Sequence, residues 1–159
     1  MTNLEYLRMK IPDKDMELFT DVELQEIIKL NSEIKVLQGR QIDVDGKVFK
    51  IDAYRLDETY AERVFIGLPA PENELTTGFT IDKDTAIIYF DSQMQVDVFV
   101  QAKVINWNDV LADCYEMIMG DYRKLNSYSI QNASQQIDDT KRHLRYLVNY
   151  YRNPRGWEL

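Results

Sequence analysis

Apolar positions recur at helical spacing at the two ends of this chain and alternate in its middle. Leu4, Leu7 and Ile11 predict a short amphipathic helix that Pro12 ends, because the residue before proline avoids the α region. A second helix is expected from Asp21 to about Leu30. Thr20 and Glu23 have the spacing of a capping box, Phe19 and Leu24 that of a hydrophobic staple, and Leu24, Ile27 and Ile28 face the core. Strand signals begin at Ile34, Val36 and Leu37. Asp45-Gly46 predicts a two-residue type I′ hairpin that opposes Val44 to Lys47, Ile42 to Phe49 and Arg40 to Ile51. Further strands are expected at Val64–Leu68, Phe79–Ile81 and Thr85–Phe90, while residues 52–62 fit strand, loop or short helix. Val96, Val98, Val100, Ala102 and Val104 alternate with Gln95, Asp97, Gln101 and Lys103. Helix returns after Asn106 or Asn108, with Leu111, Cys114, Tyr115, Ile118, Tyr122 and Leu125 on one face. Residues 126–132 read as a polar loop. A last helix runs from about Ser134 to Arg152 on a stripe of Ile137, Leu144, Leu147, Val148 and Tyr151, and Asn153-Pro154 stops it.

The pattern predicts an α+β protein. Residues 1–32 and 107–152 form one small discontinuous helical bundle, residues 33–106 an inserted antiparallel β subdomain, and 153–159 a short tail. The apolar fraction, 45%, and the charged fraction, 29%, are those of an ordinary globular chain, and no apolar run is long enough to span a membrane. The first residues lack the apolar segment of a secretory signal, so none is expected. A single cysteine, Cys114, excludes an intrachain disulfide framework and fits a reducing cytosol or a core position. The net charge of −8 is uneven. Acids outnumber bases 7 to 4 in residues 1–32 and 13 to 8 in 33–106, whereas 107–159 hold 7 of each. Such an acidic body argues against general nucleic-acid binding.

Candidate chemistry is sparse. The one histidine, His143, lacks a second His or Cys that would make a common zinc set, and falls on the polar side of its helix. Cys114 lies on an apolar face and reads as a small core residue. No nucleophile elbow, phosphate-binding loop or dinucleotide glycine motif occurs, so neither an enzymatic activity nor a cofactor is expected. Asp43 and Asp45 open like a calcium loop, yet the twelfth position is Tyr54 where a glutamate is required; a turn explains them, as it does Asp82 and Asp84. The last helix carries Tyr146, Tyr150 and Tyr151, with Trp157 beyond it, on more than one face. Lys141, Arg142, Arg145, Arg152 and Arg155 accompany them. Aromatic residues and arginine here suit a partner interface; the alternatives are that the rings pack under the β subdomain or cap the bundle and that the cations form a solvated face matched to the helix dipole.

Residues 7–30 resemble the opening of tailed-phage head–tail connector proteins, also called adaptor or head-completion proteins. Leu7, Arg8, Ile11 and Asp13 match a short first helix, and Phe19, Thr20, Asp21, Glu23 and Leu24 a capped second one. The stretch 109–122, the Tyr128-Ser129-Ile130 that follows, and the last helix from Ile137-Asp138 to Tyr151 are similar too. The family passes from its second to its third helix by a short link. Here residues 33–106 intervene, and Gln131-Asn132 stand where glycines are usual.

The resemblance implies a structural virion protein of the neck, made in the host cytoplasm. It would form a ring, dodecameric in the virion, that binds the portal protein above and a stopper or tail-side neck protein below. DNA passes through such a ring without sequence-specific binding. On this reading the portal-contacting residues are Tyr146, Tyr150, Tyr151, Arg152, Arg155 and Trp157, while Asp43, Asp82 and Asp97 face the lumen or the tail side. An acidic lumen repels DNA, which suits transit. Two other classes are weighed beside it. An acidic DNA-mimic inhibitor of a nucleic-acid-binding host protein would need its acids in a continuous stripe. A carboxylate-based hydrolase would need acids converging in one pocket.

Overall fold

The computed structural model describes residues 1–13, 18–131 and 137–154. The fold is α+β, as the periodicity predicts: five helices, with an antiparallel, curled seven-stranded sheet inserted between the second and the third. Two compact units result. One holds Met1–Asn31 and Asn106–Leu159; the other is Ser32–Ile105.

The helical unit comprises α1 (Asn3–Lys10), α2 (Asp21–Leu30), α3 (Trp107–Gly120), α4 (Tyr122–Gln131) and α5 (Ile137–Arg152). Both N-terminal helices start with complete capping boxes. Thr2 and Glu5 cap α1 reciprocally, and in α2 the Glu23 amide donates to Thr20 Oγ1 at 3.2 Å while the Thr20 amide donates to Glu23 Oε2 at 2.8 Å. Such boxes satisfy amides that the first helical turn leaves without acceptors. Leu7, Leu24, Ile118, Leu125 and Leu144 are fully or almost fully buried, so both ends of the sequence supply one core. Asn106 donates its amide to the Asn31 carbonyl at 2.9 Å, tying the end of α2 to the start of α3.

The expected polar loop at residues 126–132 is instead largely helix α4. Asp121 starts it by accepting from the amides of Arg123 and Lys124 at 2.9 and 3.3 Å. Leu125, Tyr128 and Ser129 then form a buried i, i+3, i+4 set. Ser129 Oγ donates to the Leu125 carbonyl at 2.9 Å and lies 3.1 Å from Thr140 Oγ1 on α5, so the hydroxyls that made the stretch look polar are satisfied inside. The break at Asp121 also separates Tyr122 from the face it was expected to share; it is 71% exposed.

The sheet unit has β1 (Ser32–Gln41), β2 (Val48–Ile51), β3 (Arg63–Ile66), β4 (Glu74–Leu75), β5 (Phe79–Asp82), β6 (Ile87–Phe90) and β7 (Val98–Ile105), in the order β4-β3-β7-β1-β2-β6-β5. The two edge strands, β4 and β5, are consecutive in sequence and separated by only Thr76, Thr77 and Gly78. A link that short reaches at most about 14 Å, so the sheet must curl until its edges approach. Its concave face holds the core: Phe49, Ile51, Val64, Ile88, Phe90, Val98, Val100 and Ala102, closed by Leu56. Leu56 comes from the ambiguous 52–62 stretch, which forms a loop with one bridge, to Val104.

The predicted hairpin register is off by one. Gly39 opposes Ile51, Arg40 opposes Lys50, and Gln41 opposes Phe49. The cause is Asp43. Its carboxylate accepts from the Lys47 amide at 3.1 Å and the Val48 amide at 3.0 Å, which widens the turn beyond two residues. A one-residue slip reverses which side chains face the core. Ile42, expected inside, is 49% exposed, and Gly39 takes the inner position beside Phe49. Gly46 still serves the turn, with φ +67°. Val96, expected in the last strand, precedes it and is half exposed.

Acid sensitivity follows from the caps. The Thr20 amide holds Glu23 below the ordinary carboxylate value of 4.5, with Lys124 helping against partial burial, and the Thr2 amide does the same to Glu5. A depressed folded pKa gives stability that is complete above 4.5 and is lost as pH falls through the folded value. The melting temperature is therefore expected to be flat from neutrality down to about pH 5 and to fall below about 4.5. Glu23→Gln should shrink that fall; an unchanged acid limb in the variant would show that this cap carries none of it.

Candidate functional site

The residues of the N-terminal motif meet at one junction. Asp13, whose carboxylate is fully buried, accepts from the amides of Leu18 and Phe19 at 3.0 and 3.2 Å and from Arg8 Nη1 at 3.3 Å. Arg8 also donates to Asp21 Oδ1 at 2.6 Å and to the Phe19 carbonyl at 3.1 Å. Arginine's planar fork allows these contacts at once. From α4, Lys124 enters the same junction. Its ammonium donates to the Leu18 carbonyl, lies 3.1 Å from Glu23 Oε1 and sits 4.8 Å from the Phe19 ring centroid. The junction holds α1, α2 and α4 together and is structural in kind.

The predicted portal-contacting residues divide. Tyr146 and Tyr150, 50% and 42% exposed, sit one turn apart on α5 with ring centroids 6.5 Å apart. Arg142, Arg145 and the lone His143 are exposed on the same helix. Tyr151 turns inward and stacks on Tyr115 of α3 at 5.9 Å. Burial raises the pKa of both phenols, with Tyr151 and Tyr128 adding to the effect at Tyr115 and Tyr150 at Tyr151. Arg152 reaches across to α3 and meets Asp113 at 2.6 Å, Glu116 at 3.1 Å and Asp109 at 3.4 Å. The bonds to Asp113 and then Glu116 raise its pKa. Asp113 also accepts from Asn31 Nδ2 at 2.7 Å, so Arg152 helps to bind α5 to the end of α2. Arg155 and Trp157 lie outside the described residues.

Asp43, Asp82 and Asp97 do not form a group of their own kind. Asp43 holds its turn through amides that depress its pKa against partial desolvation. Asp82 accepts from the Asp84 amide at 3.0 Å. Asp97 is exposed just before β7. Asp84 pairs with the buried Arg55 at 2.7 Å, and Glu74 takes both ends of the Arg63 fork at 2.8 and 2.9 Å. Cys114 is fully buried and its thiol is pushed up to about 12, chiefly by burial and then by Asp113, which leaves it protonated near neutrality. Among the described residues, no three His, Cys, Asp or Glu side chains are placed to hold a metal ion, and no helix is long and apolar enough to cross a membrane.

Two elements of this arrangement escaped sequence reasoning. The acids on α3, at 109, 113 and 116, have the spacing of one helical face, which was a visible signal; that Arg152 would lie over them was not. The convergence of Arg8 on Asp13 and Asp21 joins separate elements and leaves no local trace. Comparison with protein-family models, with curated proteins and with solved structures finds no match to this chain.

Proposed function

We propose that this protein is a structural subunit of a phage neck, a head–tail connector that forms a ring under the portal and extends the DNA channel. The observation that carries the reading is the junction. Of the residues that carry the resemblance, Arg8, Asp13, Phe19 and Asp21 are bonded to one another, Thr20 and Glu23 form the capping box beside them, and Lys124 from the C-terminal half bridges the two sets. A sequence likeness made of residues that depend on each other is stronger support than the same number of scattered matches. The outward tyrosines of α5 support the docking role: exposed aromatics beside arginine are what an interface hot spot needs. The pairing of Asp13, Asp21, Glu23, Asp109, Asp113 and Glu116 with cations favours this reading over DNA mimicry, which needs carboxylates left bare in a row. The role is non-enzymatic and uses no cofactor.

The test uses purified protein and tailless, portal-bearing heads. The full chain should add to the heads and allow tails to join. A chain lacking residues 153–159 should keep its helical ellipticity and fail to add. Tyr146→Ala with Tyr150→Ala should weaken docking at least tenfold, as hot-spot truncation does, while stability moves by no more than about 0.5 kcal/mol, as at other surface sites. Addition by the truncated chain would refute docking through the tail. A full chain that never binds portal would overturn the connector reading.

A further inference from the structure

We infer that the 42–47 loop of one copy of this chain seats on the outer sheet face around Arg40 of a second copy, with Asp45 as its charged anchor. The inference rests on the connector reading, for which it names the contact between neighbouring subunits.

The receiving surface is the convex side of β1 and β2. Arg40 and Lys50 are direct partners in the ladder. Like charges placed opposite each other on adjacent strands repel and cost stability. The Lys50 ammonium is fixed by the carbonyls of Ala53 and Thr85, both at 2.7 Å. The Arg40 guanidinium is exposed, with no hydrogen bond or ion pair among the described residues. Between them lies a concavity of about 440 Å³, with Gln38 and Asp52 also on its rim. Asp52 offsets part of the Lys50 charge, yet desolvation and Arg40 still depress the Lys50 pKa. On the same face of β1, Val36 and Ile34 are 50% and 56% exposed. The surface therefore offers an uncompensated cation beside bare aliphatic side chains.

The donating surface is the loop at the far end of β1. The Asp43 carboxylate ties it to the Lys47 and Val48 amides, and the Met94 amide donates to the Gly46 carbonyl at 2.8 Å. In that fixed shape Val44 is 97% exposed, and the Asp45 carboxylate has no partner among the described residues. A loop already ordered loses little freedom on docking. At its tip the aliphatic Val44 stands beside the Asp45 carboxylate, with Ile42 and Lys47 at the base of the loop, and that tip complements the receiving face. The loop lies beyond the end of β1 and packs against Gln93 and Met94, whereas Arg40 and Val36 lie on the strand itself. Donor and receiver are thus different surfaces, as a head-to-tail contact requires.

Sedimentation of the full chain at low salt, up to about 1 mM, tests this. The expected result is a mass that rises with concentration past two copies and falls with added salt. Arg40→Glu and Asp45→Arg should each weaken association by at least about tenfold, and the two together in one chain should restore it, because every contact then pairs reversed charges. Both positions are exposed, and unchanged ellipticity checks that the variants fold. A wild-type chain that stays monomeric throughout, a mass that stops at two, or a double variant that does not recover overturns the inference. Charge-dependent association without docking on portal-bearing heads would keep this contact and sink the connector reading; docking indifferent to both charges would do the reverse.

Discussion

Asp13→Ala is expected to destabilise the helical unit by about 3–5 kcal/mol, the usual cost of removing one partner from a buried ion pair. The carboxylate is fully buried and has three donors: Arg8 and the amides of Leu18 and Phe19. Its removal leaves two buried amides without their acceptor, each worth about 1–3 kcal/mol. Arg8 keeps Asp21 and the Phe19 carbonyl, which limits the loss. Asp13→Asn retains one acceptor oxygen and should cost clearly less. Urea unfolding followed by helical ellipticity reads the helical unit; two compact units make a single global transition an unsafe assumption. A loss under about 1 kcal/mol would mean that the junction does not hold the N-terminal helices, because ordinary surface changes cost that little.

Phe49→Ala is expected to cost the sheet unit about 3–5 kcal/mol, as deletion of a buried aromatic ring does. Phe49 is 5% exposed and meets Phe90 edge-to-face at 5.5 Å. It also lies over Gly39, which has no side chain of its own to fill that part of the concave face; a Cβ built there would come within 3.3 Å of the Phe49 Cβ. Removing the ring therefore opens a void bordered by a glycine, which cannot collapse into it. Phe49→Leu refills part of the volume and should cost clearly less than Phe49→Ala. The readout is amide exchange in β1, β2 and β6. Protection there that survives Phe49→Ala would show that the curl of the sheet is held elsewhere.

What could be read from the sequence was local. The Thr20–Glu23 box lies within four residues and needs no tertiary partner, so α2 begins and ends where the spacing says. The alternation of Val98, Val100 and Ala102 and the periodicity of α3 also need only their own strand or helix. Errors arose where one side chain overruled a pattern. Asp43 captured two amides and moved the hairpin register by a residue, turning Ile42 outward. In α4 the inward groups are a tyrosine and a serine beside one leucine, so a buried helical face carried the composition of a loop.

The amino-acid sequence by itself determined the α+β order and the capped N-terminal helices, because caps and periodicity act within a few residues. Only the tertiary structure decided that Tyr151 and Arg152 turn toward α3 while Tyr146 and Tyr150 face out, and that Arg8 joins Asp13 to Asp21. Those outcomes depend on the rotation of each helix about its axis and on which element lies across from it. Long-range packing sets both, and no stretch of neighbouring residues encodes them.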